Sequence, residues 1–169
     1  MAPTDFSQRK TIQLASGFSS SLAGALLLLL CACQTVPRLA PVNFAEPGWK
    51  VQQGQALWKP SRTAPELAGE LLVAHHLDGR ALLQFTKTPF PFVIAQTTDN
   101  PKRWQIEIPP QNKIYSGPGN PPARLSWLQL AAALREKPLA KKWRFEKFPD
   151  GRWHLENQSS GESIEGFLE

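Results

Sequence analysis

Cysteine is scarce in this chain and absent from most of it. The 169 residues contain two cysteines, Cys31 and Cys33, and none follows position 33. Since a disulfide needs two thiols at bonding distance, residues 34–169 can form none among themselves. This part of the chain must therefore fold by packing rather than by covalent cross-linking.

Residues typical of catalytic and metal sites are also few. The chain has three histidines, which are His75, His76 and His154. His75 and His76 are adjacent, so in a strand they point to opposite faces and cannot bind one metal together. Asp78, Asp99 and Asp150 stand in turn sequences, where carboxylates bond to the backbone. We therefore predict no enzyme activity, no catalytic residue, no metal and no cofactor.

Neither sign of charge dominates the chain. Lysine and arginine number 19 against 14 aspartates and glutamates, a net charge of +5. The densest basic cluster, residues 141–144, is followed at once by Glu146. Nucleic-acid-binding proteins usually carry a basic stripe with interleaved aromatic residues. We therefore predict no nucleic-acid partner.

The chain has one long apolar run, from Leu14 to Leu30. Arg9 and Lys10 precede the run, and small residues follow it. This layout is typical of a secretory signal peptide. Polar and small residues in the first half, including Ser16 and Gly17, make the run too weak to span a membrane. We predict that residues 1–32 are a signal peptide.

The end of this run resembles the lipobox of bacterial lipoproteins. The sequence is Leu30-Cys31-Ala32-Cys33, with a small residue directly before Cys33. Cys31 fits less well, because Leu30 would then occupy the position before the cysteine. The resemblance implies lipidation of Cys33 and a stable membrane anchor, since more than one acyl chain is attached. Gln34 in place of aspartate favours the outer membrane, with the protein facing the periplasm.

The residues after the lipobox divide into a tether and a domain. Residues 33–48 include Pro37, Pro41 and Pro47 and little charge, which predicts an extended tether. Residues 49–169 are predicted to form one domain, because a segment of this length is typical of single domains.

Several segments between residues 49 and 108 are predicted to be strands, and the first and last of them alternate apolar and polar residues as half-buried strands do. They are residues 49–58, 66–77, 80–88, 90–96 and 104–108. Asp78-Gly79 predicts a two-residue type I′ turn, in which both central residues need positive φ. Leu77 is expected on the apolar face with Leu71. Apolar pairs such as Leu71-Leu72 place side chains on both faces, so we expect the sheet to be covered on both sides.

One helix is predicted after a loop rich in glycine and proline. Residues 116–122 are expected neither to form a helix nor to pair with a strand. Residues 123–135 carry a wide apolar arc and several alanines, which predicts an α-helix. Three further strands are predicted at residues 143–148, 152–157 and 162–168.

These elements predict a mainly β, α+β fold. We expect a curved antiparallel sheet or unclosed half-barrel with the helix packed on its concave face. Such an incomplete barrel can hold an apolar ligand between helix and sheet. The residues expected to contact it are Phe92, Trp104, Trp127 and Leu128. Alternatively, the same sheet is a docking surface of an accessory envelope lipoprotein.

The domain resembles the LolA/LolB superfamily of lipoprotein carriers and receptors. The resemblance rests on the lipobox at Cys33, the run of strands, and residues 124–134 with Trp127, Leu128 and Leu130. It implies an unclosed antiparallel barrel with a helical lid over an apolar cavity. It also implies that the partners are the membrane, through the lipid anchor, and a lipid or acylated protein as ligand.

The lipobox assignment predicts different outcomes for the two cysteines. Cys33→Ala should leave an unlipidated precursor, because the thiol that receives the lipid is lost. Cys31→Ala should still be processed, because alanine is acceptable inside the box. Metabolic labelling with a fatty-acid analogue measures both. Label kept by the Cys33 variant and lost by the Cys31 variant would overturn the assignment.

Overall fold

A computed structural model describes residues 38–169. The predicted signal peptide, Cys33 and the first residues of the tether lie outside this range. The described residues form nine strands and one α-helix. The strands are β1 (Trp49–Lys59), β2 (Leu67–His76), β3 (Ala81–Lys87), β4 (Phe90–Asp99), β5 (Lys102–Ile108), β6 (Lys113–Pro118), β7 (Trp143–Lys147), β8 (Arg152–Asn157) and β9 (Ser163–Leu168). The helix, α1, is Ser126–Ala133, and Pro109–Gln111 form a 3-10 turn.

All nine strands belong to one antiparallel sheet. Their order is β6-β5-β4-β3-β2-β1-β9-β8-β7. The last strand, β9, returns to pair with β1 on the side opposite β2. Since β6 and β7 are the two edges and do not pair with each other, the sheet is not closed. The predicted fold class, a curved antiparallel sheet or half-barrel, is confirmed.

The contacts of α1 show that the sheet is strongly curved. The helix contacts β3 and β4 on one side and β9 on the other. In a flat sheet, β4 and β9 would be separated by four strand spacings, roughly 19 Å. A helix about 10 Å wide can reach both only if the sheet curls around it. The helix therefore packs on the concave face, as predicted.

Glycines in the central strands allow neighbouring backbones to approach closely. A Cβ at Gly54 of β1 would collide with the carbonyl oxygen of Phe167 in β9. A Cβ at Gly166 of β9 would collide with the carbonyl oxygen of Gln55 and lie 2.9 Å from the Trp153 ring. Glycine inside a strand commonly marks a bend of this kind. These positions let the sheet curl where β1 and β9 meet.

The core lies between the concave face and α1. The strand residues that face the helix are almost fully buried, and they are Leu71, Val73, Leu83, Phe85, Val93, Ala95, Ile106, Trp153, Leu155 and Ile164. The Trp127 ring stacks on Phe85, with centroids 4.8 Å apart and planes at 27°. The edge of Trp127 also meets Trp58 at 5.4 Å. These aromatic contacts fix the helix on the sheet.

The segment 38–48 contacts the convex face of the sheet. The main-chain N–H of Leu39 donates to Oε1 of Gln105 at 2.8 Å. The carboxylate of Glu46 pairs with Arg80 at 2.6 Å. Ala74 and Leu82 lie on this face between those contacts and are buried. The expectation that both faces are covered is confirmed here, and the described part of the tether contains turns but no helix or strand.

The β2–β3 connection differs from the predicted type I′ turn. It contains the three residues Leu77, Asp78 and Gly79, and the N–H of His76 donates to the carbonyl of Arg80 at 2.9 Å. Only Gly79 has positive φ, at 94°. Because the loop is one residue longer than predicted, Leu77 lies outside the strand and is 82 % exposed. Its assignment to the apolar face was wrong.

The loop predicted at residues 116–122 contains the end of a strand. Gly117 and Pro118 pair with Trp104 and Arg103 of β5. Pro118 is tolerated because it ends an edge strand, where no donor is required. Gly117 is required because a Cβ would lie 2.8 Å from the Trp104 ring. The prediction that this segment cannot pair was therefore wrong.

The curvature predicts an unusual response to substitution at Gly166. Glycine-to-alanine changes in compatible conformations usually stabilise by about 0.4–1 kcal/mol. Gly166→Ala should instead destabilise by about 1–3 kcal/mol, because the methyl group overpacks the β1–β9 contact. Urea unfolding of residues 36–169 measures this effect, since this range forms a compact unit by itself. The control is Glu165→Ala, at the exposed neighbouring position. The explanation would be contradicted if Gly166→Ala stabilised the domain, or changed its stability only as much as Glu165→Ala does.

Candidate functional site

A cleft of about 470 Å³ opens between α1 and the end of the β4–β5 hairpin. Its volume lies within the range of small-molecule sites, roughly 300–1,000 Å³. The apolar wall consists of Pro121, Leu128, Ala131, Ala132, Pro138, Leu139 and Ala140. The polar and charged lining consists of Thr97, Thr98, Asp99, Lys102, Arg103, Asn120, Gln129, Arg135 and Lys137. The cleft is therefore amphipathic.

The spacing of residues along α1 explains which side chains reach the cleft. Leu128, Ala131, Ala132 and Arg135 are separated by three, four and seven positions, which places them on one helical face. All four line the cleft. Trp127, at the preceding position, points to the sheet instead, where it stacks on Phe85. The short alanine side chains leave the open volume.

The start of α1 is anchored by a partly buried glutamate. The Glu162 carboxylate accepts hydrogen bonds from the Trp58 indole, at 3.0 Å, and from the Ser126 hydroxyl at the first turn. Burial raises the pKa of Glu162, and the two hydrogen bonds only partly offset this effect. Leu125, the N-cap residue, makes no side-chain capping bond. Glu162 therefore ties the first turn of α1 to the sheet through the Ser126 hydroxyl and the Trp58 indole.

The end of α1 turns sharply through Glu136. The N–H of Lys137 donates to Ala132 O at 3.0 Å, and the N–H of Glu136 donates to Ala133 O at 2.9 Å. These two bonds form a Schellman motif, in which the αL position is usually glycine. Here Glu136 takes that position, with φ of 56°. The helix ends earlier than the predicted residue 135, and the turn brings Lys137 back toward the cleft.

Two cations hold one carboxylate at the mouth of the cleft. Lys137 Nζ lies 2.6 Å from Asp99 Oδ2, and the Arg135 guanidinium lies 3.0 Å from the same oxygen. Partial burial acts to raise the pKa of Asp99, but the hydrogen bonds from Lys137 and Arg135 outweigh it and lower the pKa. A Cβ at Gly79 would collide with the carboxylate. The β2–β3 turn thus leaves the space that Asp99 occupies.

The two cations at the mouth of the cleft also affect the pKa of His75. This half-buried histidine has a lowered pKa, first because of burial and then because of the charges of Arg135 and Lys137. His75 therefore favours its neutral form. His76 lies on the opposite face, as predicted. Its Nδ1 lies 2.7 Å from Asp78 Oδ1, and its Nε2–H donates to the Pro47 carbonyl at 3.0 Å. Within residues 38–169, no three histidine, cysteine or acidic side chains form a metal-binding group.

The structure separates the four residues predicted to contact a ligand. Leu128 lines the cleft and is fully buried. Phe92 lies at a bulge in β4, opposite Phe85 and Thr86 of β3. Its ring centroid is 6.1 Å from that of Trp58, which also contacts Trp127, so Phe92 belongs to the aromatic cluster. Trp104 packs beside Gly117 near the β6 edge. Leu128 is thus the one member of the predicted set on the wall of this cleft, and the ligand contacts of all four stay predictions.

The sequence analysis did not find the charged group at the mouth. Asp99 was assigned to a turn and Arg135 to the end of the helix, and Lys137 was given no role. Their meeting depends on the αL conformation of Glu136 and on the empty space at Gly79, which no local pattern specifies. The available signal was the pair of cations flanking a single residue directly after an alanine-rich helix.

The raised pKa of Glu162 predicts a pH-dependent effect of Glu162→Gln. A raised folded-state pKa stabilises the fold below the ordinary value of 4.5, and this contribution is lost as pH rises through the raised value. The glutamine keeps an acceptor for Trp58 but carries no charge. Relative to the native protein, the variant should therefore gain stability as the pH rises from 4 to 8. Urea unfolding at both pH values measures the change.

Glu66→Gln is the matched control, because Glu66 is exposed and pairs only loosely with Lys59 at 3.7 Å. Its stability relative to the native protein should change little over the same range. A Glu162 variant that loses stability relative to the native protein as pH rises would contradict the assignment.

Comparisons with known proteins do not assign this chain to a family. No protein-family model matches the sequence, and no curated protein sequence matches it. Within residues 38–169, no helix has the length and apolar character needed to cross a membrane. Evidence for a function must therefore come from the cleft and from the residues of the chain itself.

Proposed function

We propose that the protein is a membrane-anchored envelope lipoprotein that binds a lipid or the acyl chains of lipoproteins in the cleft beside α1. The observation that carries this proposal is the apolar wall formed by one face of α1 and residues 138–140. A hydrocarbon chain on this wall would remove apolar surface from water, which contributes roughly 25 cal/mol per Å². The ligand is bound non-covalently, and its binding involves no catalytic step.

Sequence features support the same proposal. The lipobox at Cys33 implies a lipid anchor, and Gln34 favours placement in the outer membrane, facing the periplasm. The resemblance to lipoprotein carriers and receptors implies an apolar cavity beneath a helix in an unclosed barrel. A role in lipoprotein localisation follows from that resemblance. The open sheet and packed helix described above are compatible with it.

A second candidate function is docking in an envelope complex. A groove of about 610 Å³ crosses the outer side of β1, β2, β8 and β9. Phe148 and Phe167 line it and are 42 % and 36 % exposed. Exposed apolar side chains in a groove are typical of interaction surfaces. This observation favours an accessory lipoprotein with no ligand in the cleft beside α1.

Ala132→Leu tests the proposed cleft. Ala132 is half-buried on the wall, and leucine keeps helix propensity while filling part of the open volume. We expect the variant of residues 36–169 to keep its unfolding midpoint but to bind dansylundecanoic acid at least about tenfold more weakly, ~1.4 kcal/mol. Leu128→Ala is less suitable, because truncation of a fully buried leucine costs about 2–5 kcal/mol.

Ala68→Leu is the matched control in the other groove. Ala68 is exposed and lines the groove that contains Phe148 and Phe167. This variant should bind the fluorescent probe as the native protein does. Saturable binding lost only in the Ala68 variant would place the ligand in the outer groove. A folded native domain without saturable binding would reject the carrier function and favour docking.

A further inference from the structure

Arg135 and Lys137 converge on one point although their chain positions do not favour it. In a continuous helix, residues two positions apart project about 200° from each other. The αL conformation of Glu136 reverses the chain between them, and both cations reach the Asp99 carboxylate. A non-glycine residue in this conformation is strained, and such strain often accompanies function. The two cations therefore form a candidate anion site.

Basic residues outnumber acidic ones in the lining of the cleft. The lining contains the cations Lys102, Arg103, Arg135 and Lys137 and one acid, Asp99. The Arg135 side chain is only 15 % exposed, and charges removed from water need a partner of opposite sign. Asp99 supplies that partner within the protein.

The apolar wall and the anion site adjoin at the C-terminal end of α1. Arg135 follows Leu128, Ala131 and Ala132 on the face that lines the cleft. A molecule whose hydrocarbon chain lies on this face would place its head group next to the Arg135 guanidinium. Arginine and lysine both bind carboxylate and phosphate oxygens by charge-assisted hydrogen bonds. A neutral head group can accept a hydrogen bond here but cannot form an ion pair with these cations.

We propose that the cleft selects amphiphiles with an anionic head, a carboxylate or a phosphate, and that Asp99 holds the place of this head in the absence of ligand. On binding, the head group pairs with Arg135 and Lys137 in exchange for the Asp99 carboxylate, which turns to solvent. The exchange keeps both cations paired before and after binding. This inference rests on the proposed function and adds the chemical class of the ligand. Asp99 then determines affinity by competing with the ligand.

Asp99→Asn removes the competing charge while keeping the shape of the side chain. Calorimetric titration of residues 36–169 with decanoate and decyl phosphate, both below their micelle concentrations, and with decan-1-ol measures the effect. We expect the native domain to bind one or both anionic ligands at least about tenfold more tightly than the alcohol. The variant should bind the preferred anion at least about tenfold more tightly still, with little change for the alcohol. The two anions distinguish a carboxylate site from a phosphate site.

Asp150→Asn is the matched control. Asp150 also pairs with an arginine, Arg152 at 2.6 Å, but lies in the exposed β7–β8 turn away from the cleft. It changes the net charge equally and should leave all three affinities unchanged. Lys137→Gln should weaken binding of the anions at least about tenfold and spare the alcohol. The Lys137 side chain is 38 % exposed, so we expect this variant to fold. It therefore tests the inference if the Asp99 variant does not fold.

The outcomes separate the inference from the proposed function. Equal affinity for anions and alcohol, or an Asp99 variant that binds anions no more tightly than the native domain, would overturn the anion exchange while leaving a lipid site. Binding of none of the three amphiphiles by a folded domain would instead reject the lipid site itself. An increase shared by the Asp150 variant would show a general effect of net charge and would also overturn the inference.

Discussion

The burial of a two-turn helix inside a curled sheet is the interaction on which the rest of the structure depends. Seven of the eight residues of α1 are buried, although an isolated helix of this length is unstable in water. The stack of Trp127 on Phe85 and the bond from Trp58 to Glu162 hold it in place. Because β3, β4 and β9 all contact α1, the helix and the curvature of the sheet stabilise each other.

Much of the fold follows from alternation in the sequence, which depends on local burial. The last three strands place Trp143, Trp153, Leu155 and Ile164 in the core, as alternating patterns predicted. The patterns fail where a distant contact determines the backbone. Gly117 is of a residue type that is common in loops, yet its lack of a side chain is what lets the Trp104 ring pack beside it. Strand pairing of this segment is therefore a tertiary effect.

The candidate site was less predictable than the fold for a related reason. Large aromatic residues bury the most surface, so Phe92 and Trp127 fill the aromatic cluster with Trp58 rather than line open space. The cleft exists where the helix carries small residues, such as Ala131 and Ala132. Sequence reasoning that seeks an apolar site through its largest side chains finds the core. Leu128 lies on the cleft wall because its face of α1 also carries Ala131 and Ala132.

The mouth of the cleft departs from the rules that hold elsewhere in the described structure. The other non-glycine residue with positive φ, Asn112, is of a type that tolerates αL, whereas Glu136 is not. Glycine at 136 would relieve the strain and complete the Schellman motif without altering the core. Natural proteins concentrate such conflicts at functional sites, and this one lies where Arg135 and Lys137 hold Asp99. Stability alone does not require this arrangement, whereas the proposed recognition of an anion would account for it.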